Sequence, residues 1–183
     1  MDTRQHEEKM KQALEHFKSE LKKVRTGRAN AAMLDGVMVT AYGTQMPLNQ
    51  VANVTAPEAQ LIQITPFDPN NIQAIASAIR DNPTLGFNPS DDGRVVRVPV
   101  PPLTEERRRE YVKVLGGKVE DCMIALRGVR RDAMDNIDQA KKDKSIGEDD
   151  AKRLEKQVDE AMNKVKADVD AAAKAKEAEI MTI

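Results

Sequence analysis

Val98-Pro99-Val100-Pro101-Pro102-Leu103-Thr104-Glu105-Glu106-Arg107-Arg108 divides the chain into two kinds of sequence. All nine prolines of the 183 residues fall between Pro47 and Pro102, and none occurs downstream. Proline lacks the N–H that a helix interior needs, so the two flanks can be long helices and the middle cannot. Charge divides the chain at the same places. Residues 31–104 carry three basic and six acidic side chains in 74 positions, whereas the other 109 carry 50 charged residues. The middle therefore reads as a separate domain, residues 31–103, inserted into a helical one built from 1–30 and 104–183.

Working outward, Thr104 is a suitable N-cap after the proline pair, and Glu105 and Glu106 suit the positive end of a helix dipole. From there Val112, Leu115, Val119, Cys122, Leu126, Val129 and Ala133 keep a strict heptad, interrupted by Gly116, Gly117 and Gly128. Each glycine costs a helix about 1 kcal/mol relative to alanine. A continuous helix over 104–144 would be about 60 Å long. Ser145-Ile146-Gly147-Glu148 fits a capping box that opens a further helix, whose stripe is Leu154, Val158, Ala161, Val165, Ala172 and Ile180. On the other flank Met10, Leu14, Phe17, Leu21 and Val24 share one helical face, predicting a helix that ends near Gly27. Three amphipathic helices that cannot bury their stripes singly predict an elongated three-helix bundle.

In the middle, Val37–Tyr42, Gln60–Thr65 and Arg94–Val98 read as strands. Pro69 to Arg80 carries Ile72, Ile75, Ala76 and Ile79 at helical spacing behind the cap Asp68. The expected fold class is α+β: the bundle with an inserted small β/α/β domain. The two crossings supply hinge candidates at Ala29, Asn30 and Ala31 and at Pro101, Pro102, Leu103 and Thr104.

Catalytic chemistry finds no footing in the pattern. His6 and His16 do not share a helical face, Gly116-Gly117-Lys118 lacks the remaining residues of a phosphate loop, and Cys122 sits on the apolar seam. Catalytic residues, metal and cofactors are each read as none. A single cysteine excludes an internal disulfide, while the polar start of the chain and the lack of a long apolar run predict a cytoplasmic protein with no membrane partner. The 29 basic residues are matched by 30 acidic ones, so a nucleic-acid site must be a local patch.

Such patches emerge when each basic residue is tested for an acidic neighbour three or four positions away. In the last helix every one has such a neighbour: Arg153 has Asp149, Lys156 has Asp159, Lys176 has Glu179. Lys22, Arg25 and Arg28 do not, nor do Arg127 and Arg130, and Arg131 has only Asp135. Acidic groups on another helix could complete some of these pairs. Two clusters of unpaired cations point instead to an anionic partner, and arginine forks suit phosphate. Aromatic residues do not interleave, so backbone contact with structured RNA is expected rather than stacking on splayed bases. The rival readings are a non-enzymatic helical adaptor binding structured RNA or an acidic protein partner, which should expose an apolar stripe, and a small enzyme.

At these same residues the chain resembles the bacterial ribosome recycling factor family. Lys23-Val24-Arg25-Thr26-Gly27-Arg28-Ala29-Asn30, Leu34-Asp35-Gly36, the segment Val98 to Arg108 and Arg127-Gly128-Val129-Arg130-Arg131-Asp132 occur in the family's order over essentially the full length. The resemblance implies an L-shaped protein without an active site. It implies a translation factor that works with elongation factor G and GTP to split the post-termination ribosome into subunits. Its bundle would lie on large-subunit rRNA near the intersubunit bridges, and the chain would act as a monomer. By the same resemblance Arg127, Arg130 and Arg131, with Lys22, Arg25 and Arg28, are the expected rRNA-binding residues. Gly128 and Gly116 depart from the family pattern, where a polar and a longer side chain are expected.

Overall fold

The computed structural model describes residues 2–182. In chain order it holds helix α1 (Arg4–Lys22), strands β1 (Met38–Ala41) and β2 (Thr44–Pro47), the single turn α2 (Leu48–Val51), and strands β3 (Ala52–Glu58) and β4 (Leu61–Pro66). Helix α3 (Ile72–Arg80), strands β5 (Ser90–Asp91) and β6 (Val96–Pro99), and the long helices α4 (Glu105–Lys142) and α5 (Glu148–Met181) follow. The chain forms two compact units. One joins residues 2–24 with Arg109–Ile180, and the other joins Arg25–Arg108 with Met181 and Thr182.

The helical unit is a three-helix bundle on one apolar core. From α4 the seam residues Leu115, Cys122, Leu126 and Ala133 are buried, Val112, Val119 and Val129 pack against them, and the pattern runs on to Ile137. Met10, Leu14, Phe17 and Leu21 of α1 and Leu154, Val158, Met162, Val165 and Val169 of α5 fill the facing positions. Helix α1 runs antiparallel to α4: Glu20 meets Lys118 at 2.8 Å, and His6 meets Asn136 at 3.2 Å. Helix α4 continues unbroken through its three glycines for 38 residues, about 57 Å. Thr104 caps it, its Oγ1 accepting the Arg107 N–H at 3.2 Å.

Two helix ends differ from the sequence reading. Helix α1 stops at Lys22, five residues before Gly27, because Val24 turns back to the Leu21 carbonyl while keeping its side chain in the bundle core. Ser145 does not cap α5. Its N–H and its hydroxyl both donate to the Ala140 carbonyl, Lys144 donates to Lys141, and Lys144 takes a positive φ of 57°. That is a Schellman closure of α4, which engages Ser145 upstream and leaves Gly147 to open α5 by accepting the Ala151 N–H.

The α+β unit has a hairpin, β1 with β2, and an antiparallel four-stranded sheet in the order β3-β4-β6-β5. The three predicted strands are present as β1, β4 and β6. The sequence reading missed β2, β3 and β5, short or proline-containing segments that pair with the neighbouring strands β1, β4 and β6. Ile75, Ala76 and Ile79 of α3 pack with Ile62, Ile64, Val96 and Val98 of the sheet in a second core. Asp68 caps the entry to α3 by accepting the Asn70 N–H, and also accepts the Tyr42 hydroxyl at 2.8 Å.

Candidate nucleic-acid interface

Arg127, Arg130 and Arg131 are all exposed on α4, but their circumstances differ. Arg127 donates through Nη2 to Glu120 Oε1 at 2.6 Å, two turns back on its own helix. Helical side chains lean toward the N-terminus, so a long arginine reaches a partner at seven positions that a test at three or four overlooks. Arg130 donates through Nε to Asp159 Oδ1 of α5 at 2.7 Å. That hydrogen bond, reinforced by the opposite charge, raises the guanidinium pKa further. Arg131 makes no ion pair among the described residues, Asp135 included.

Arg127 and Arg130 are therefore not without partners, and the interhelical alternative describes Arg130. Both pairs are nevertheless open to water, with side chains 53% and 60% exposed in the first and 44% and 46% in the second. Exposed pairs of this kind contribute about 0–1 kcal/mol, so they are readily exchanged for a stronger anion. On α5 the local pairing takes a different register. Arg153 meets Asp150 at 3.3 Å and Lys156 meets Glu160 at 3.8 Å, while Asp159 serves Arg130.

The second expected cluster does not form one helical stripe. Lys22 is the last residue of α1, exposed and without an ion pair among the described residues. Arg25 and Arg28 lie beyond the helix. Arg25 is half-buried in the α+β unit with its guanidinium 5.9 Å from the Phe87 ring centre, and its Nε is buried without a hydrogen-bond partner. Arg28 stays exposed. The hinge candidates also hold local structure. Ala29 donates to the Ala59 carbonyl at 2.6 Å, Asn30 Oδ1 accepts the Ala32 N–H ahead of Ala31, and Leu103 is buried between exposed Pro102 and Thr104. These contacts lie inside the α+β unit, which includes Arg25–Arg108.

Other reactive groups are held in structural roles. Burial pushes the Cys122 thiol up, and its Sγ lies 3.8 Å from the Ala13 carbonyl. His6 is buried against Asn136, whereas His16 is exposed. The Glu20 carboxyl, bonded by Lys118 and then by Lys23, is held down at about 2. Among the described residues no group of three His, Cys, Asp or Glu could hold a metal ion, and no helix is long and apolar enough to cross a membrane.

The family model described as "Ribosome recycling factor" matches residues 17–181. The chain belongs to the ribosome recycling factor family. It is similar to the ribosome-recycling factors of Erythrobacter litoralis, 48% identical over 96% of this chain and 95% of that one, and of Acidothermus cellulolyticus, 46% identical over 97% and 95%. The Rubrobacter xylanophilus protein is 43% identical over 100% of this chain and 98% of its own. A solution structure of the ribosome recycling factor superposes with a TM-score of 0.77 at 35% identity, covering 100% of both chains. Models for the T. thermophilus ribosome recycling factor and the E. coli elongation factor G bound to the E. coli post-termination complex give a TM-score of 0.64 at 39% identity, covering 98% and 95%.

Within this family member, sequence spacing located the α4 arginines but not their ranking. Among the described residues Arg131 is the one guanidinium of the three without an ion pair, a distinction that rests on Glu120 two turns away and on Asp159 of another helix. The aromatic partner of Arg25 was equally hidden, since Phe87 is 62 positions away and only the fold brings the two together.

Proposed function

We propose that this chain recycles ribosomes: with elongation factor G and GTP it splits the post-termination ribosome into subunits, its bundle resting on large-subunit rRNA near the intersubunit bridges. The observation that carries the reading is the match to the ribosome recycling factor family over residues 17–181. The models that join a relative with elongation factor G on a post-termination complex support the choice of partners. The chain acts as a cytoplasmic monomer without catalytic chemistry of its own, and GTP hydrolysis belongs to elongation factor G.

In this reading α4 supplies the RNA contact. Arg131 offers its guanidinium directly, while Arg127 and Arg130 trade Glu120 and Asp159 for phosphate. A hydrogen bond to a charged group contributes about 1.5–3 kcal/mol, more than the 0–1 kcal/mol or so held in an exposed pair, so the exchange runs toward RNA. Lys22, Arg25 and Arg28 extend the cationic surface, and bending near the two crossings lets the α+β unit adjust. The adaptor alternative gains no support from the exposed apolar residues of α4. Val114 and Ile124 are 47% and 55% exposed but lie about 80° apart around the helix, which makes no stripe.

The deciding experiment is light scattering of post-termination ribosomes mixed with elongation factor G and GTP, with and without the chain. Splitting should require all three components. Subunit separation at the same rate without the chain would refute the proposal.

A further inference from the structure

Val24 and Arg25 are neighbours in sequence held by different cores. The Val24 side chain is buried in the bundle core, while the Arg25 guanidinium carbon stands 5.9 Å from the ring centre of Phe87, a buried residue of the α+β core. A cation within about 6 Å of an aromatic face is drawn to the negative charge of the ring. Arginine suits such a site because its flat guanidinium is weakly hydrated.

The ring stands in for an acid that Arg25 lacks. Its Nε is buried without a hydrogen-bond acceptor, and among the described residues Arg25 makes no ion pair. A charge drawn out of water needs a compensating partner, and Phe87 is the one that the fold provides. Swinging out to a phosphate would strip that partner and uncover the ring. Downstream the chain is next tied at Ala29, whose N–H donates to the Ala59 carbonyl at 2.6 Å. Residues 26–28 make no hydrogen bond among the described residues. Without the Phe87 contact, the first fixed point of the α+β unit therefore moves from Arg25 to Ala29. At about 3.3–3.6 Å per extended residue, that change frees roughly 13–14 Å of chain.

We propose that Arg25 is a positioning residue, a clasp on Phe87 that starts the α+β unit one residue after the bundle ends and so shortens the first crossing to a single peptide bond. A crossing that short restricts how far the α+β unit swings as it engages its partners. The inference narrows the cationic surface described above, from which Arg25 drops out, and it rests on the recycling reading only where ribosomes enter the test.

The test combines pulsed spin-label distances between Ser19 and Asn49 in the full chain with co-sedimentation on purified bacterial ribosomes over a range of salt. The variants are Phe87→Leu, Arg25→Gln, their double, Arg25→Lys and, as the RNA-contact control, Arg131→Ala. Phe87→Leu keeps every charge and most of the bulk yet removes the aromatic face. It should broaden the distance distribution by several ångströms, within the roughly 14 Å that the freed chain allows, at an unchanged salt slope of binding. Arg25→Gln should do the same, and it carries the test if Phe87→Leu unsettles the core. The double variant should be no broader than either single, because both remove one contact. Arg25→Lys keeps a cation for the ring and should stay near the parental width. Arg131→Ala should lower the salt slope by about one without broadening. Parental distributions in Phe87→Leu and Arg25→Gln overturn the clasp, as does a double variant whose broadening equals the sum of the singles. A salt slope lowered by about one in Arg25→Gln makes Arg25 an RNA ligand and overturns it too. An unchanged slope in Arg131→Ala refutes the RNA reading alone, and the distance distributions still decide the clasp.

Discussion

Replacing either partner of the Arg130–Asp159 pair separates a structural role from an RNA-binding one, because the two roles predict different signs. The pair spans α4 and α5 at 2.7 Å with its side chains 44% and 46% exposed, so solvent screening limits its contribution to folding to about 0–1 kcal/mol. For a chain of 183 residues that corresponds to a fall in Tm of no more than about 2–4 °C for Arg130→Ala and for Asp159→Ala alike. Binding should diverge. Arg130→Ala loses a charged hydrogen bond to phosphate, about 1.5–3 kcal/mol, less up to about 1 kcal/mol for a pair that no longer has to be broken. Affinity should drop about 2- to 150-fold. Asp159→Ala releases Arg130 and should strengthen binding by up to about fivefold. Ribosome co-sedimentation at moderate salt with melting curves on the same samples reads both quantities. If both variants weaken binding alike, in step with lost stability, Arg130 is a bundle contact and not an RNA ligand.

Four further outcomes follow from the structure. Glu20 titrates at about 2 when folded, below its unfolded value of about 4.3, so the stability it contributes is fully present above pH 4.3 or so and drains away as pH falls toward 2. Glu20→Gln should therefore flatten the acid limb of a stability–pH curve in that window, and an unchanged limb would argue against the Lys118 contact. Leu126, fully buried on the α4 seam, should cost about 2–5 kcal/mol as alanine in chemical denaturation; a value under 1 kcal/mol would mean that the seam is misplaced. The purified chain alone should not hydrolyse GTP, and turnover abolished by a point substitution in this chain would contradict that. Pulsed spin-label distances between Ser19 and Asn49 should spread more widely than distances within either unit, and equally narrow distributions would rule out bending at the crossings.

Much of this architecture is written in local chemistry. The confinement of proline between Pro47 and Pro102 marks the inserted unit because no helix interior tolerates proline, and the heptad from Val112 to Ala133 marks the α4 seam because burial repeats with the helical turn. Thr104 and Asp68 are legible as caps, since each bonds a backbone N–H two or three residues away. Strands β2, β3 and β5 were not legible, because segments that are two residues long or carry a proline, with no clean apolar alternation, hold too little local pattern to mark a strand. Ser145 misled for a related reason: the same hydroxyl can open one helix or close another, and the positive φ at Lys144 selects the second.

The candidate interface divides in the same way. By itself the sequence determined that Arg127, Arg130 and Arg131 share a turn and a half of one exposed helical face, because the residues and the 3.6-residue repeat are both local facts. Only the tertiary structure decided which of their charges is spoken for. It set Asp159 of α5 against Arg130, carried Arg25 off α1 onto Phe87, and left Arg131 open to solvent. A charge acts through space, so its partners are fixed by which elements pack together, a matter that spacing along the chain does not contain.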